Sequence, residues 1–249
     1  MKRIWVLTLF PDYFEAFSQR GVIGQVLQGQ RGQFEFKLVH LRDYSDNQYK
    51  SVDETPFGGG AGMVLRADIL SKALWQGVIQ AGGYDSDSWK EQLEVIYPCP
   101  RGITWNQRTA ENFAQERLQA GRDLVFLCGR YEGVDERFLE KYVQSYFSLG
   151  DYVLSGGELA VMVMLDSSLR LLPGSLGNQH SLSEESFNQG LLEYPLYTKP
   201  REFEGQSVPE VLLSGHHKRI QEFHLQKRIQ MTQKHRPDLW DQYLKQEKK

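Results

Sequence analysis

Three glycine-rich segments carry the residue types best suited to binding a small ligand. They are PFGGGAGM at residues 56–63, CGRYEG at residues 128–133 and GDYVLSGGE at residues 150–158. Glycine lets backbone amides approach a ligand closely, and the ligands of open α/β sheets bind where strands end. One such segment could serve only as a turn, but three in one domain favour at least one ligand-binding loop.

These segments do not match the common nucleotide-binding motifs. None reads G-x-G-x-x-G, and no G-x-x-x-x-G-K-[ST] occurs in the chain, so a Rossmann dinucleotide site and a P-loop are disfavoured. Gly156 and Gly157 lead directly into a predicted helix that begins with Glu158. Bare amides at a helix N-terminus attract polar or anionic groups, but this carboxylate would repel a phosphate. We therefore expect a neutral or positively charged ligand, such as an adenine or a sulfonium.

Basic residues concentrate near the C-terminus. Residues 201–249 contain ten Lys or Arg and seven Asp or Glu, a net charge of +3, whereas residues 1–200 carry −6. Between residues 218 and 236, six basic residues accompany one acid, Glu222, and the histidines of this region are His216, His217, His224 and His235. Such a surface suits the phosphates of a nucleic acid. The alternative interpretation is that these residues form an ordinary solvated face of a helix.

Other residues have the chemistry for acid–base work but no pattern that selects them. Arg170 lies near the end of a predicted apolar helix, where it could pair with Asp166 or interact with the helix dipole. Glu184 and Glu185 lie in a polar stretch over residues 175–199, which reads as a linker or functional loop. Residue type and spacing alone assign none of them a role.

The elements that must position these residues alternate between strands and helices. Apolar runs predict strands at residues 4–10, 34–39, 94–97, 123–128 and 146–149. Helical spacing predicts helices around residues 22–27 and at residues 67–79, 104–118, 136–143 and 158–172. Pro98 and Pro100 are expected to end the third strand, and Thr104 to cap the next helix. This order predicts an α/β fold with a parallel sheet and helices on both faces, followed by helices only over residues 209–244.

Length and composition are those of an ordinary globular protein. The 249 residues, 40% hydrophobic and 24% charged, correspond to one or two domains. No apolar run approaches the roughly 20 residues needed to span a bilayer. Cys99 and Cys128 are too few for a disulfide framework or a thiolate zinc site. We therefore expect a cytoplasmic protein.

Taken together, these segments resemble the bacterial tRNA (guanine-N1)-methyltransferases of the TrmD type, in the SPOUT superfamily. The resemblance runs from LFP at residues 9–11 to LLSG at residues 212–215. It also includes RDY at residues 42–44, the three glycine-rich segments, PGSLG at residues 173–177 and SF at residues 186–187. Several long motifs in the expected order make the resemblance specific.

The resemblance implies an architecture and a reaction. The fold would be a SPOUT parallel α/β sheet with a deep trefoil knot, plus a small all-helical C-terminal domain. Residues 1–174 would form the S-adenosylmethionine-binding methyltransferase domain, residues 175–200 a linker carrying active-site residues, and residues 201–249 a helical tRNA-binding domain. The protein would act as a homodimer on the anticodon arm of tRNA, with S-adenosylmethionine as methyl donor and a dependence on Mg²⁺. The product would be N1-methylguanine at tRNA position 37, 3′ of the anticodon.

The resemblance also implies site residues. Arg170 matches the active-site arginine, and Glu185 stands at the position of the catalytic aspartate, with Glu184 as the alternative. Arg101 stands where glutamine is common, so its cation would have to face solvent, RNA or an acid rather than a sulfonium. The positions that match the cofactor site are Tyr97, Pro98, Gly129, Tyr131, Glu132, Gly133, Leu149, Gly150, Tyr152, Leu154, Gly156, Gly157 and Ala160, the last in place of a common proline.

In the implied mechanism, Glu185 removes the N1 proton of guanine and Arg170 stabilises the charge that develops on O6. Glu132 has the chemistry of a magnesium ligand. Three alternatives remain at this point: another SPOUT enzyme acting on ribose or ribosomal RNA, a non-catalytic RNA-binding module, and a nucleotide-dependent hydrolase. The absence of a P-loop motif counts against the hydrolase.

Overall fold

A computed structural model of the chain describes residues 1–32, 34–175 and 185–247. The chain divides into two compact units, Met1–Gly177 and Asn178–Lys249. The first unit is built around a β-sheet, and the described part of the second is mainly helical. Within the described ranges, no helix is long and apolar enough to cross a membrane.

A five-stranded parallel sheet forms the centre of the first unit. The strands of this unit are β1 (Lys2–Thr8), β2 (Phe34–His40), β3 (Asp53–Glu54), β4 (Val64–Leu65), β5 (Leu93–Thr104), β6 (Asp123–Leu127) and β7 (Ser145–Ser148). Five of them pair in the order β2-β1-β6-β5-β7, whereas β3 and β4 form a separate antiparallel hairpin. Alternate residues of β1 belong to different cores, with Trp5 and Leu7 on one face and Ile4 and Val6 on the other.

Helices cover both faces of this sheet, which confirms the predicted α/β architecture. They are α1 (Glu15–Gln19), α2 (Gly21–Leu27), α3 (Ala67–Lys72), α4 (Trp89–Gln92), α5 (Gln107–Phe113), α6 (Glu136–Tyr142) and α7 (Gly157–Leu169). Helices α3 and α5 continue as π-helical segments Ala73–Gln80 and Ala114–Gln119, and short 3-10 helices span Pro11–Phe14 and Leu41–Tyr44. One apolar core contains α3 and α6, and the other contains α2, α5 and α7.

Strand β5 continues through the prolines that were expected to end it. It runs to Thr104 and pairs with β7 on both sides of a register shift between Pro98 and Ile103. Proline is tolerated in a sheet at such irregularities, where its missing N–H costs no ladder hydrogen bond. A Cβ on Gly102 would lie 2.2 Å from the backbone nitrogen of Phe147, so this close approach of β5 to β7 requires glycine. The expected strand of residues 94–97 was therefore too short.

Two helix boundaries also differ from expectation. The helix expected to start at Thr104 is capped instead by Asn106, whose side chain accepts a hydrogen bond from the Thr109 N–H at 3.0 Å. Thr104 is still paired in β5 and is therefore unavailable as a cap. Helix α7 ends at Leu169 rather than at residue 172, so Arg170 is its C-cap residue.

The described part of the second unit contains one departure from the all-helical expectation. Its helices are α8 (Glu210–Leu213), α9 (His217–His235) and α10 (Pro237–Glu247), and a 3-10 turn spans Asn188–Gly190. Strands β8 (Glu202–Phe203) and β9 (Gln206–Ser207) form a short antiparallel hairpin. Glu204 and Gly205 between them have φ values of 49° and 76°, and positive φ at both central residues is typical of the type I′ turn that favours hairpins.

Candidate active site

A pocket opens where β6 and β7 end, beside the prolines of β5 and the first turn of α7. It encloses about 270 Å³, just below the usual range of small-molecule sites. Its walls come from β5, from the loop after β6, and from the loop between β7 and α7. Every residue that the resemblance assigns to the cofactor lines this pocket. Their role as ligand-binding residues stays a prediction.

Glycine allows the loops around this pocket to approach one another. The Gly157 N–H donates a hydrogen bond to the Gly129 carbonyl at 2.9 Å, which joins the start of α7 to the loop after β6. A Cβ on Gly129 would lie 2.7 Å from Tyr97 Oη, and one on Gly157 would lie 2.8 Å from Cα of Cys128. Both distances are shorter than van der Waals contact. A larger residue at position 129 would therefore displace Tyr97 of β5, and one at position 157 would push the start of α7 away from the loop after β6.

Tyr97 contributes a neutral phenol to the pocket wall. Its side chain is largely buried, and burial is the main cause that raises its pKa to about 12. The hydroxyl therefore stays protonated near neutral pH, where it can both donate and accept a hydrogen bond.

Glu132 connects the pocket to the first glycine-rich segment. Residues 56–63 form the connection between β3 and β4 rather than following a strand of the main sheet. The Glu132 N–H donates to the Met63 carbonyl at 2.9 Å, and the Glu132 side chain occupies the space beside Gly62. Across residues 1–32, 34–175 and 185–247, no group of three His, Cys, Asp or Glu side chains is placed to hold a metal ion.

A buried ion pair lies beneath the pocket. The Arg130 guanidinium contacts the Glu158 carboxylate at 2.9 Å, with side-chain exposures of 13% and 1%. The Thr8 hydroxyl donates to Glu158 Oε1 at 2.8 Å. Glu158 was expected to present an unpaired negative charge at the helix N-terminus; that premise is wrong, because this carboxylate is buried and its charge is balanced by Arg130.

Arg130 also joins the pocket lining to residues outside it, and sequence reasoning did not single it out. Its Nη1 donates to the Ser155 carbonyl at 3.2 Å. Its guanidinium lies 4.5 Å from the ring centre of Phe10 and 5.3 Å from that of Tyr13. The only available signal was its position inside CGRYEG, because its partner Glu158 lies 28 residues further along the chain.

Arg101 is satisfied outside the pocket lining. Its two terminal nitrogens donate to the Glu136 carboxylate at 2.9 and 3.2 Å, and this pairing raises the pKa of Arg101. The guanidinium also lies 5.7 Å from the ring centre of Tyr146. The Arg101 guanidinium therefore faces an acid, Glu136, which is one of the three arrangements expected for an arginine near a sulfonium ligand.

The two residues expected to perform the chemistry lie in different units. Arg170, at the end of α7, lines a separate hollow of about 240 Å³ together with Phe17 and Asp166. Glu185 belongs to the second unit, where it is partly buried and its carbonyl accepts a hydrogen bond from the Asn188 N–H at 3.3 Å. Glu184 lies outside the described residues. The catalytic roles of Arg170 and Glu185 stay predictions.

The basic region divides into exposed and engaged cations. Lys218, Arg219 and Lys234 on α9 are exposed. Arg228, on the same helix, is buried and donates hydrogen bonds to backbone carbonyls, so it is not available for phosphates. Arg236 forms a paired contact with Asp238 at 2.9 and 2.7 Å. Counting charges along the sequence therefore overstated the basic surface.

A parallel sheet with a glycine-lined pocket at the carboxyl ends of its strands defines an open α/β protein, the class in which small ligands bind at this edge of the sheet. The family model of the tRNA (guanine-1)-methyltransferase TrmD matches residues 1–242. The chain belongs to this family.

Curated relatives support the family assignment over nearly the whole chain. A protein of Lachnospira eligens is 45% identical over 240 residues, which cover 96% of this chain and 95% of the relative. Proteins of Brevibacillus brevis and Pelagibacter ubique are 44% and 43% identical, over 95% and 96% of this chain and 90% and 97% of their own lengths. All three are named tRNA (guanine-N(1)-)-methyltransferase.

Proposed function

We propose that the chain transfers a methyl group from S-adenosylmethionine to N1 of guanine at position 37 of tRNA. One observation carries this proposal. Strand β5, the loop after β6 and the loop between β7 and α7 line a single pocket, in a chain that belongs to the TrmD family. The relatives named for guanine-N1 methylation match over nearly their whole length, which supports the same reaction here.

The pocket has the chemistry that S-adenosylmethionine requires. Glycine backbone, apolar side chains such as Leu149 and Ala160, and the neutral Tyr97 suit an adenosine moiety. The carboxylate of Glu132 is the acidic side chain of the lining, and the charge of Arg130 is balanced by Glu158. Among the described residues that line this pocket, a sulfonium cation therefore meets no unbalanced positive charge.

The chain supplies a base and a cation for the reaction, and the bound donor supplies an electrophilic methyl group. Glu185 accepts the N1 proton of guanine, so N1 can form a bond to the methyl carbon while the carbon–sulfur bond breaks and sulfur keeps the electron pair. Arg170 stabilises the negative charge on O6, most strongly where water is excluded. General-base help of this kind typically contributes about 10²- to 10⁴-fold to the rate.

The exposed cations of α9 are the proposed contacts to the tRNA phosphates. Lys218, Arg219 and Lys234 present positive charge to solvent, and such contacts supply binding energy that does not depend on base sequence. The target guanine must leave its stack to reach a pocket, at a cost of a few kcal/mol. Phosphate contacts along the anticodon arm would offset this cost.

The proposal also includes the architecture, the oligomeric state, the location and the metal dependence that the resemblance implies. The chain forms the trefoil knot of the SPOUT superfamily. The cofactor-binding domain is residues 1–174, the linker is residues 175–200, and the tRNA-binding domain is residues 201–249, which is helical except for the β8–β9 hairpin. The enzyme acts as a homodimer in the cytoplasm. The Mg²⁺ dependence that the resemblance implies has no three-residue site among the described side chains, so no step of the mechanism uses the metal.

Two measurements test the proposal. Calorimetry with S-adenosylhomocysteine should give saturable binding at one site per chain. Absence of binding would favour the alternative that the protein is a non-catalytic RNA-binding module. Single-turnover methyl transfer by Glu185→Gln and Glu184→Gln should be strongly slowed in the first variant and nearly unchanged in the second. A full rate in Glu185→Gln would remove Glu185 as the base.

A further inference from the structure

We propose that Arg228 and Thr232, two buried polar residues of α9, are positioning residues that hold the segment of residues 185–193 and thereby aim Glu185. This inference rests on the proposed function, in which Glu185 is the base. Both residues lie one helical turn apart on α9 and face the same segment. Neither has a place in the mechanism described above.

Arg228 binds the segment through three separate hydrogen bonds. Its Nη2 donates to the Asn188 carbonyl at 2.8 Å, its Nε to the Leu192 carbonyl at 3.3 Å, and its Nη1 to the Gln189 side-chain oxygen at 3.3 Å. The residue is 8% exposed. A planar guanidinium can reach these diverging acceptors together, whereas the single ammonium of lysine cannot.

Thr232 fixes the other end of the segment. Its hydroxyl accepts a hydrogen bond from the Leu192 N–H at 2.9 Å and donates to the Arg228 carbonyl at 2.8 Å. Thr232 is fully buried and Leu192 is half-buried, so this hydrogen bond is partly shielded from water. Removing the hydroxyl would leave the N–H of a half-buried residue without its protein acceptor, which disfavours the present position of residue 192.

Within the segment, the backbone adopts a shape that its surroundings must maintain. Phe187 and Gln189 have positive φ values of 74° and 57°, a backbone conformation that residues other than glycine rarely adopt. The Phe187 N–H donates to the Leu191 carbonyl at 2.8 Å, and the Glu193 N–H donates to Ser186 Oγ at 3.0 Å. Strained backbone of this kind persists where other contacts over-determine it, and it concentrates at functional sites.

The consequence is a mechanical link between tRNA binding and base placement. The segment carrying Glu185 is fastened to α9, whose exposed Lys218 and Arg219 are the proposed phosphate contacts. The base therefore moves with the helix that binds the RNA. Arg228 contributes to the reaction through this segment rather than through the tRNA, which its burial already prevents it from touching.

The test uses Thr232→Val, Thr232→Ser and Arg228→Lys in the full chain. At saturating tRNA and donor, the single-turnover rate of methyl transfer should fall about 10- to 100-fold in Thr232→Val and Arg228→Lys, since small misplacement of a reacting group costs this much. Thr232→Ser keeps the hydroxyl and should recover most of the rate. The dissociation constants for tRNA and S-adenosylhomocysteine should stay within about twofold, because neither binding surface changes.

Arg236→Lys provides the matched control. It preserves charge on an arginine whose guanidinium already pairs with Asp238, and its rate and affinities should equal those of the wild type. Full rates in Thr232→Val and Arg228→Lys would overturn the inference. So would a loss confined to tRNA affinity, which would show that the two residues only support the helix. If Arg228→Lys fails to fold, the Thr232 pair alone decides the question.

The inference and the proposed function can fail separately. If Glu185→Gln keeps the wild-type rate, the assignment of the base is wrong and the inference falls with it. If Glu185→Gln is slow while Thr232→Val and Arg228→Lys are fast, the base is right and only the positioning role is wrong.

Discussion

Replacing Arg130 with methionine should destabilise the first unit far more than an ordinary loss of one surface charge. The change removes the cation that balances Glu158, whose side chain is 1% exposed, and leaves that carboxylate buried with the Thr8 hydroxyl. Breaking a buried ion pair from one side costs about 3–5 kcal/mol. Because Arg130 retains some exposure, we expect about 3 kcal/mol, which corresponds to roughly 6–12 °C in melting temperature for a chain of this size.

The matched control is Arg101→Met. Arg101 also makes a two-point contact with a glutamate, but both partners are more than half exposed, so the loss should be at most about 1 kcal/mol. Urea unfolding of the two variants, compared with the wild type at neutral pH, measures the difference. Equal destabilisation by Arg130→Met and Arg101→Met would refute the reasoning.

A double variant separates the ion pair from packing. Arg130→Met combined with Glu158→Met removes both charges and should be more stable than Arg130→Met alone, because the unpaired buried carboxylate is gone. Arg130→Met should also weaken S-adenosylhomocysteine binding about fivefold, since the loop loses one hydrogen bond, from Arg130 to the Ser155 carbonyl, worth about 1 kcal/mol. Titration calorimetry measures this loss, and an unchanged affinity would mean that the loop keeps its shape without Arg130.

Three other predictions concern the pocket, the pH dependence of stability and the RNA surface. Gly129→Ala should abolish S-adenosylhomocysteine binding in calorimetry, because the new methyl group would lie 2.7 Å from Tyr97 Oη and displace this wall of the pocket. Retained affinity would show that Tyr97 can move aside without loss of the site. Burial is the main cause that raises the pKa of Tyr84 to about 12, above its unfolded value of about 10. The stability linked to this proton is therefore complete below pH 10 and is lost as the pH rises from about 10 to 12. In urea unfolding, the stability of Tyr84→Phe should decline less steeply over this pH range than that of the wild type. Equal declines in the two proteins would contradict the assignment. Lys218→Gln and Arg219→Gln should each weaken tRNA binding and reduce the slope of log affinity against log salt concentration by about one. Filter-binding titrations measure both quantities. Unchanged slopes would mean that these two residues do not contact phosphates.

The architecture of the first unit could be predicted because its signals are local. Apolar runs of strand length alternate with helically spaced segments, and these patterns correctly indicate a parallel sheet covered on both faces. The exceptions depend on tertiary pairing. Pro98 did not end β5, since β7 accommodates the prolines at a register shift, and Thr104 could not cap a helix while it was still part of the sheet.

The site was harder to predict because charge partners are distant in sequence. Glu158 was expected to repel anions at a helix N-terminus, but Arg130 balances it from another loop. Arg228 was counted among the phosphate-binding residues, yet its contacts to Asn188 and Leu192 bury it. Arg170 and Glu185 could not be selected from spacing at all, and their assignment came only through resemblance to the family.

Methyl transfer to N1 of guanine 37 is decided by identifying the atom that carries the methyl group. An anticodon stem-loop carrying guanine at position 37 is incubated with the protein and S-adenosylmethionine, digested to nucleosides and separated, beside a matched stem-loop carrying adenine there. We expect 1-methylguanosine from the first RNA and no methylated nucleoside from the second. A methyl group on ribose or on another base atom, or no transfer by protein that binds the donor, would contradict the proposed reaction.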